Sequence, residues 1–304
     1  MTNLRIGTRR SPLALAQAEE IRLRLEATGV LAEIVPMTTS GDDGAEASSS
    51  PQGLKGLWID TILDALEAGE IDLAVHSAKD LPADDDEGFT IAAVPEREDP
   101  GDVLVSREAA TLPAGALIGT SSLRRRAQLL AGFPGLEVVE LRGNVQTRLH
   151  KVERGEVDAA VLAAAGLSRL GLDPEHARAL PLGMMVPAPG QGCLAVQTRD
   201  DDDDTIAAVA PLDHAASHRA LDAERSLMWR LGGGCALPLG AHAVVGAEAV
   251  SLSAIVATPD GTTVLRVQAE GGTPEDAAEA AAKELIELGA ERILAEVEAA
   301  AGLD

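Results

Sequence analysis

The sequence LRIGTRRSPLALAQAEEIRLRLEATG, residues 4–29, decides the fold class. Residues 4–8 form a short apolar run that ends in Ile-Gly-Thr, and apolar residues then recur at helical spacing to the end of the stretch. Ser11 is a favoured N-cap, Pro12 suits the first helical position, and Gly29 suits the residue just past the last turn. The stretch therefore predicts a strand, a turn and a helix in succession.

The same opening recurs far downstream. The segment ALIGTSSLRRR, residues 116–126, again ends an apolar run in Ile-Gly-Thr and continues into a predicted helix from Leu123. A second pair, GEIDLAV (69–75) and GEVDAAV (155–161), predicts a short buried strand after an amphipathic helix in each half. Two pairs in the same order indicate two βα lobes of similar topology. Ligands collect at the carboxyl ends of strands in such sheets, so two facing lobes predict an anion-binding cleft.

The rest of the chain predicts a third domain of the α+β class. The sequence predicts a helix over 213–231, alternating strands around 241–245, 250–257 and 262–269, and one long helix from Pro274 to about Ala299. Residues 187–192 suggest a crossover, and 193–197 a buried strand that returns to the first lobe. The expected boundaries are 1–95 with 193–209 for lobe one, 99–189 for lobe two, and 213–304 for the C-terminal domain.

Charge and composition exclude several classes of protein. The 304 residues include 49 acidic and 25 basic side chains, and the formal net charge of -24 disfavours nucleic acid as a partner. The acidic excess and the scarcity of lysine resemble adaptation to high salt, which screens self-repulsion. No run approaches the roughly 20 apolar residues of a membrane span, so we expect a cytoplasmic protein without a membrane partner. Two cysteines, Cys193 and Cys235, form neither a disulfide framework nor a metal-binding spacing.

Arginines gather at the predicted strand-to-helix turns. Three lie at 124–126, where adjacent cations at the positive end of a helix are unfavourable unless anions bind there. Arg142 and Arg148 flank the next such turn, and Arg9 lies at the equivalent turn of lobe one. Ordinary surface arginines paired with nearby acids remain the alternative. Because guanidinium groups bind carboxylates bidentately, the pattern favours a ligand with several carboxylates.

Two further segments carry reactive side chains. The motif HSAKDLP, residues 76–82, follows the repeat strand of lobe one, and its Lys79–Asp80 pair is either a loop ion pair or part of the site. In an arginine-rich site, Asp80 could stabilise positive charge on a substrate and move protons. Cys235 follows the glycines at 232–234, which makes it the better candidate for covalent chemistry, whereas Cys193 lies in an apolar run.

Taken together, these motifs resemble the porphobilinogen deaminase family over residues 4 to about 294. The matching segments are RIGTRRSPLA (5–14), HSAKDLP (76–82), GTSSLRR (119–125), LRGNVQTR (141–148), GQG (190–192) and GGC (233–235). The resemblance implies two lobes like those of type II periplasmic binding proteins, followed by a C-terminal domain that carries the reactive cysteine. It implies a dipyrromethane cofactor joined by a thioether to Cys235. A non-catalytic binding module of the same fold is the alternative, but it has no need of a thiol on a glycine loop.

The resemblance also implies a reaction and a set of residues. Four porphobilinogen molecules are condensed on the dipyrromethane primer with loss of ammonia, and water releases linear hydroxymethylbilane. The partners are porphobilinogen and the growing oligopyrrole, the protein is expected to be a monomer, and no metal is expected. Asp80 and Lys79 are the implied catalytic residues. The implied cofactor and substrate contacts are Arg9, Ser11, Lys55, Ser77, Thr120, Ser121, Ser122, Arg124, Arg125, Arg142, Asn144, Arg148, Arg169 and Gln191.

Overall fold

The computed structural model describes residues 3–38, 51–84, 87–108, 112–133, 135–232 and 237–301, with the backbone alone for 51–58 and 301. In chain order the elements are β1 (Asn3–Arg9), α1 (Pro12–Ala27), β2 (Leu31–Met37), α2 (Pro51–Glu67), β3 (Leu73–Ser77), β4 (Phe89–Ala93), β5 (Asp102–Ser106), β6 (Leu117–Gly119), α3 (Leu123–Gly132), β7 (Glu137–Val139), α4 (Val145–Glu153), β8 (Ala159–Ala163), α5 (Ala164–Arg169), β9 (Ala177–Leu180), β10 (Leu194–Arg199), α6 (Asp203–Val209), α7 (Ala215–Arg230), β11 (Leu239–Val245), β12 (Val250–Ala257), β13 (Val264–Gly271), α8 (Pro274–Glu287) and α9 (Ala290–Ala301).

Two sheets share one topology, which confirms the predicted pair of similar lobes. The first has the order β2-β1-β3-β10-β4 and the second the order β7-β6-β8-β5-β9. In the first sheet β1 runs parallel to β2 and β3, and β10 runs antiparallel to β3 and β4. In the second, β6 runs parallel to β7 and β8, and β5 runs antiparallel to β8 and β9. Each lobe therefore has one reversed strand that follows the crossover from the other lobe.

The local signals at the start of the chain act as predicted. The Ser11 side chain accepts a hydrogen bond from the Ala14 N–H and Pro12 begins α1. Gly29 has φ +86° and closes the helix, with its N–H bonded to the carbonyl of Glu26. The predicted strand, turn and helix are therefore confirmed.

The repeat strands begin later than predicted. Gly69 and Gly155 adopt φ of +66° and +72°, and each ends the preceding helix through a hydrogen bond to its last turn. The Gly-Glu pairs at the start of both motifs therefore belong to helix ends, and β3 and β8 start four residues after their glycines.

The C-terminal domain has the predicted antiparallel sheet, with the order β11-β12-β13, and it packs against α7, α8 and α9. The prediction of one long helix from Pro274 to about Ala299 is wrong, because two helices, α8 and α9, occupy that stretch. Gly289 lies between them with φ +97°, a left-handed conformation that cannot continue a right-handed helix.

A buried carboxylate joins the crossovers between the lobes to the C-terminal domain. Glu224 on α7 is fully buried and accepts hydrogen bonds from Arg97 at 2.6 Å, from the Gly190 N–H at 2.7 Å and from the Ala243 N–H at 2.7 Å. Arg97 precedes β5, and Gly190 precedes β10. One side chain thus fixes both chain crossings relative to α7 and β11.

The capping box of α8 provides a test of local stability away from the lobes. Thr273 Oγ1 accepts from the Asp276 N–H at 3.1 Å, and the Asp276 carboxylate accepts from the Thr273 N–H at 3.1 Å. We expect Thr273→Ala to lower the free energy of unfolding by about 1 kcal/mol, because the cap hydroxyl is lost. Denaturant unfolding measures this, and Thr273→Ser, which keeps the hydroxyl, is the matched control. Equal unfolding of Thr273→Ala and wild type would contradict the assignment.

Candidate active site

A pocket opens at the carboxyl ends of β1 and β3 in lobe one. Arg9, Ser11, His76, Ser77 and Asp80 are among its lining residues. Parallel strands bring their carboxyl ends to one edge, and the single turn of 3-10 helix at Ala78–Asp80 carries the acid there. Four residues from the candidate set are thus together in lobe one.

Ser77 is held by a residue that the sequence did not single out. Gln17 on α1 is 4% exposed and donates from Nε2 to Ser77 Oγ at 2.7 Å. Gln17 lies four residues before the buried Ile21 on the same face of α1, so a polar residue in an apolar stripe was the available signal. The bond fixes the direction in which Ser77 faces the pocket.

His76 contributes no positive charge at neutral pH. Burial lowers the pKa of His76 to about 4, although the charge of Asp80 opposes the shift. Its Nε2 atom is buried without a hydrogen-bond partner among the residues that the structure describes. A neutral imidazole therefore stands beside the candidate acid.

In lobe two, Arg124 and Arg125 share one buried carboxylate. Asp102 is fully buried and accepts from Arg124 Nη1 at 2.8 Å and from Arg125 Nη2 at 2.7 Å. Arg124 also donates to the Val186 carbonyl and Arg125 to the Val161 carbonyl. The pairing with an acid that was the alternative for these arginines is therefore present, although it is buried rather than on the surface. Two cations and one anion leave a net positive charge at this turn.

Asp102 itself was not anticipated, and its charge is strongly stabilised. Burial by itself raises the pKa of Asp102, but the charges and hydrogen bonds of Arg124 and Arg125 outweigh it and hold the pKa well below its ordinary value of 3.8. The residue stands in the ordinary-looking segment EDPGDV, residues 98–103, so the sequence offered no signal for it.

The hydroxyls before α3 organise its first turn. Ser122 is the N-cap, and its side chain accepts from the Arg125 N–H. Thr120 Oγ1 accepts from the Ser122 N–H at 3.2 Å, and Ser121 donates to the Leu141 carbonyl at 2.7 Å. Together they hold the start of α3, where the helix dipole is positive.

Arg148 lies close enough to Arg125 for their charges to interact. Burial lowers the pKa of Arg148, and the charge of Arg125 lowers it further. The Arg148 Nε atom is buried and has no hydrogen-bond partner within the described part of the chain. Arg142 differs, since its side chain is 63% exposed and pairs with Glu140 at 2.7 Å. Asn144 caps α4 by accepting from the Thr147 N–H at 2.8 Å.

Arg169 and Gln191 lie at the junction of the lobes. Arg169 is paired with Glu20 of α1 at 3.0 Å and donates to the Gly192 carbonyl. Gln191 donates to the Pro100 carbonyl at 2.7 Å and to Asp102 at 2.9 Å. A small pocket at this junction is lined by residues of both lobes, Lys79 and Arg169 among them.

The side chains of two candidate residues lie outside what the structure describes. Cys235 is not among the described residues, and only the backbone of Lys55 is described. Cys193 is described, and burial raises the pKa of its thiol to about 12, so it is protonated and a weak nucleophile. The described helices include none both long and apolar enough to cross a bilayer, and the described side chains form no group of three suited to holding a metal.

Sequence profiles of one family match most of the chain. The profile described as porphobilinogen deaminase, dipyromethane cofactor binding domain, matches residues 4–207, and that of the porphobilinogen deaminase C-terminal domain matches residues 219–288. The chain belongs to the porphobilinogen deaminase family. It is therefore a transferase of tetrapyrrole biosynthesis, a hydroxymethylbilane synthase, and its cofactor is dipyrromethane.

Relatives in the porphobilinogen deaminase family align with nearly the whole chain. A porphobilinogen deaminase from Chromobacterium violaceum is 47% identical over 306 residues, which cover 98% of each chain. One from Desulforudis audaxviator is 46% identical and covers 97% of this chain and 98% of its own. Among solved structures, a periplasmic substrate-binding protein of an ABC transporter from Coxiella burnetii is similar, with 17% identity, a TM-score of 0.42 and coverage of 73% of this chain and 96% of its own. The family matches favour the enzyme over the non-catalytic binding module.

The buried triad of Asp102, Arg124 and Arg125 predicts a pH-dependent stability. Because the pKa of Asp102 is depressed in the folded state, its contribution is present above the unfolded pKa and is lost as the pH falls through the folded value. We expect Asp102→Asn to cost about 3–5 kcal/mol of unfolding free energy at pH 7, since it leaves two buried cations without their anion. The deficit should shrink as the pH falls below about 4, the pKa of an aspartate in the unfolded chain, because the unfolded wild type then takes up a proton that folded Asp102 does not.

Denaturant unfolding at pH 7 and pH 3 measures both effects. Asp99→Asn is the matched control, because Asp99 is exposed and lies three residues before Asp102. A deficit for Asp102→Asn that is equal at the two pH values would contradict the electrostatic origin.

Proposed function

We propose that Asp80 and Lys79 carry the deaminative condensation of porphobilinogen, that Cys235 bears the dipyrromethane, and that arginines of both lobes bind the acetate and propionate groups. The observation that carries this proposal is that Asp80 lines one pocket with Arg9 at the strand ends of lobe one.

The residues of lobe two fit a ligand with several carboxylates. The buried Nε atoms of Arg124 and Arg148 have no hydrogen-bond partner among the described residues. Burial and, to a smaller extent, the neighbouring charge of Arg125 lower the pKa of Arg148, and a bound anion would offset both effects. The N-termini of α3 and α4 add the positive ends of two helix dipoles, which favour bound anions.

When bound, dipyrromethane supplies a covalently tethered primer with a nucleophilic carbon for the incoming pyrrole. Arg125, Arg148 and Arg142 would bind its carboxylates and those of the growing chain from the lobe-two side. Arg9 and the capped N-terminus of α1 would do the same from lobe one. The turns that carry these cations would be held in place by the side chains of Thr120, Ser121, Ser122 and Asn144. Each charge-assisted hydrogen bond contributes about 1.5–3 kcal/mol, so the binding strength increases with the number of rings.

Asp80 would act on the charge that develops when ammonia leaves porphobilinogen. Its carboxylate can accept hydrogen bonds from pyrrole N–H groups, stabilise the cation and take up the proton lost after coupling. The neutral His76 supports this role, because an imidazolium at that position would offset the negative charge. Lys79 lines the junction between the lobes, where its ammonium could meet a substrate carboxylate.

In this proposal two of the remaining candidates position the segments around the site, and a third contacts the ligand. Arg169 and Gln191 would hold the crossovers through Glu20 and Asp102, and Lys55 would contact the ligand from the N-terminal part of α2. We also infer that the protein works as a cytoplasmic monomer without nucleic-acid or membrane partners. The net charge of -24 supports the exclusion of nucleic acid. The domain boundaries at 95, 99, 189, 193, 209 and 213 stay predictions.

The covalent link predicts a mass difference. Purified wild type should exceed the mass calculated from its sequence by two linked pyrroles, and Cys235→Ser should show no increment, because the thioether needs the thiol. Cys193→Ser is the matched control and should keep the adduct, since Cys193 is buried. Intact-mass spectrometry decides, and a bare wild-type chain that still turns over porphobilinogen would refute the attachment.

The catalytic role of Asp80 predicts loss of turnover with the cofactor retained. Asp80→Asn should lower kcat by about 10²–10⁴-fold, because the amide can neither stabilise the cation nor take up a proton. Asp84→Asn, an exposed acid in the same segment, is the control. Both variants are assayed for porphobilinogen consumption after the adduct has been verified by mass. Unchanged turnover in Asp80→Asn would remove Asp80 from this role.

A further inference from the structure

The turn that carries Lys79 and Asp80 packs on helix α7 of the C-terminal domain. Leu221 of α7 is fully buried in one apolar cluster with Ala78 and Leu81, the residues on either side of the Lys-Asp pair. The turn therefore rests on a helix that begins more than 130 residues later in the chain and belongs to another domain.

Arg225 lies four residues after Leu221, on the same face of α7. Its side chain is 9% exposed, and it donates from Nη1 to the Pro82 carbonyl at 2.7 Å and from Nη2 to the Ala83 carbonyl at 3.3 Å. These carbonyls follow Asp80 by two and three residues. A planar guanidinium that bonds two successive carbonyls fixes the direction of the backbone as well as its position.

The other side of the turn that carries Asp80 is held by the residues that precede β10. The Ala78 N–H donates to the Cys193 carbonyl at 3.1 Å. Gly190, with φ +71°, lies so close that a Cβ there would be 3.0 Å from the Lys79 nitrogen. Gly190 is in turn bonded to Glu224, the residue before Arg225. Adjacent residues of α7 thus hold opposite sides of the turn.

We propose that Arg225 is a positioning residue for Asp80, acting through the carbonyls of Pro82 and Ala83. This inference rests on the role proposed for Asp80 above. Removal of the guanidinium takes this donor away from the partly buried Pro82 and the buried Ala83, and it frees the chain just beyond the acid. Displacement of a catalytic group by about 1 Å can cost on the order of 10²-fold in rate. The carboxylate-binding arginines belong to other elements, so the effect falls on kcat rather than on KM.

Arg225→Ala and Arg225→Lys test the inference in the full-length, cofactor-loaded enzyme. We expect Arg225→Ala to lower kcat by about 10–100-fold with KM for porphobilinogen unchanged, and millimolar ethylguanidinium to restore part of the rate. Arg225→Lys should also lose rate, because an ammonium is a point donor and cannot bond both carbonyls in the same way. Arg230→Ala is the matched control on the same helix, where Arg230 contacts Glu279 within the C-terminal domain.

Rates are normalised to the fraction that carries the adduct by intact mass, and melting temperatures are measured in parallel. Wild-type kcat in Arg225→Ala with only a lower melting temperature would overturn the inference, as would an equal loss of kcat in Arg230→Ala. Where Arg225→Ala does not fold or load, Arg225→Lys decides by the same criteria. Full activity of Asp80→Asn would refute the role of Asp80 itself, whereas an inactive Asp80→Asn beside a fully active Arg225→Ala refutes the present inference alone.

Discussion

The buried carboxylate of Glu224 is the contact on which the arrangement of the three parts depends. It binds Arg97 before β5, Gly190 before β10 and the backbone of β11, so the two crossings between lobes and the C-terminal sheet meet at one charge. A buried ion is tolerated only when its lone pairs are satisfied in a fixed geometry. The same helix continues through Arg225, which holds the turn of Asp80, and ends at Arg230, five residues before Cys235 in the sequence.

The second constraint is the accumulation of arginine in a strongly acidic protein. A site for several carboxylates needs several cations close together, and these repel one another in the absence of ligand. The structure offsets part of this repulsion internally, since Asp102 pairs with both Arg124 and Arg125 and keeps its own charge at neutral pH. Arg148 lies beside Arg125 with a buried Nε that no described residue binds. These arginines lie in the first turns of α3 and α4, in a chain whose net charge is -24.

Much of the fold could be predicted because its signals are local. The cap at Ser11, the proline after it and the glycine at 29 determine α1 within a few residues, and the repeated Ile-Gly-Thr segments placed β1 and β6 in equivalent roles. The wrong predictions concern glycine, because this residue can either lie within a helix or strand or end a helix in the left-handed conformation. Glycine before a buried run predicts the start of a strand at 69 and 155, yet in the structure it ends the preceding helix. Gly289 stands in a helix-favouring stretch, and its left-handed conformation divides it into α8 and α9.

The sequence by itself determined the pair of lobes, the third domain, the family and the list of chemical groups, because motifs and periodicity are properties of neighbouring residues. Only the tertiary structure decided which charges and which hydrogen-bonding groups are paired. The contact of Asp102 with Arg124 spans 22 residues, that of Gln17 with Ser77 spans 60, and that of Arg225 with Pro82 spans 143. Such partners meet only when the sheets have formed and the helices have packed on them. Their pairing depends on distances across the folded core, about which spacing along the chain carries no information.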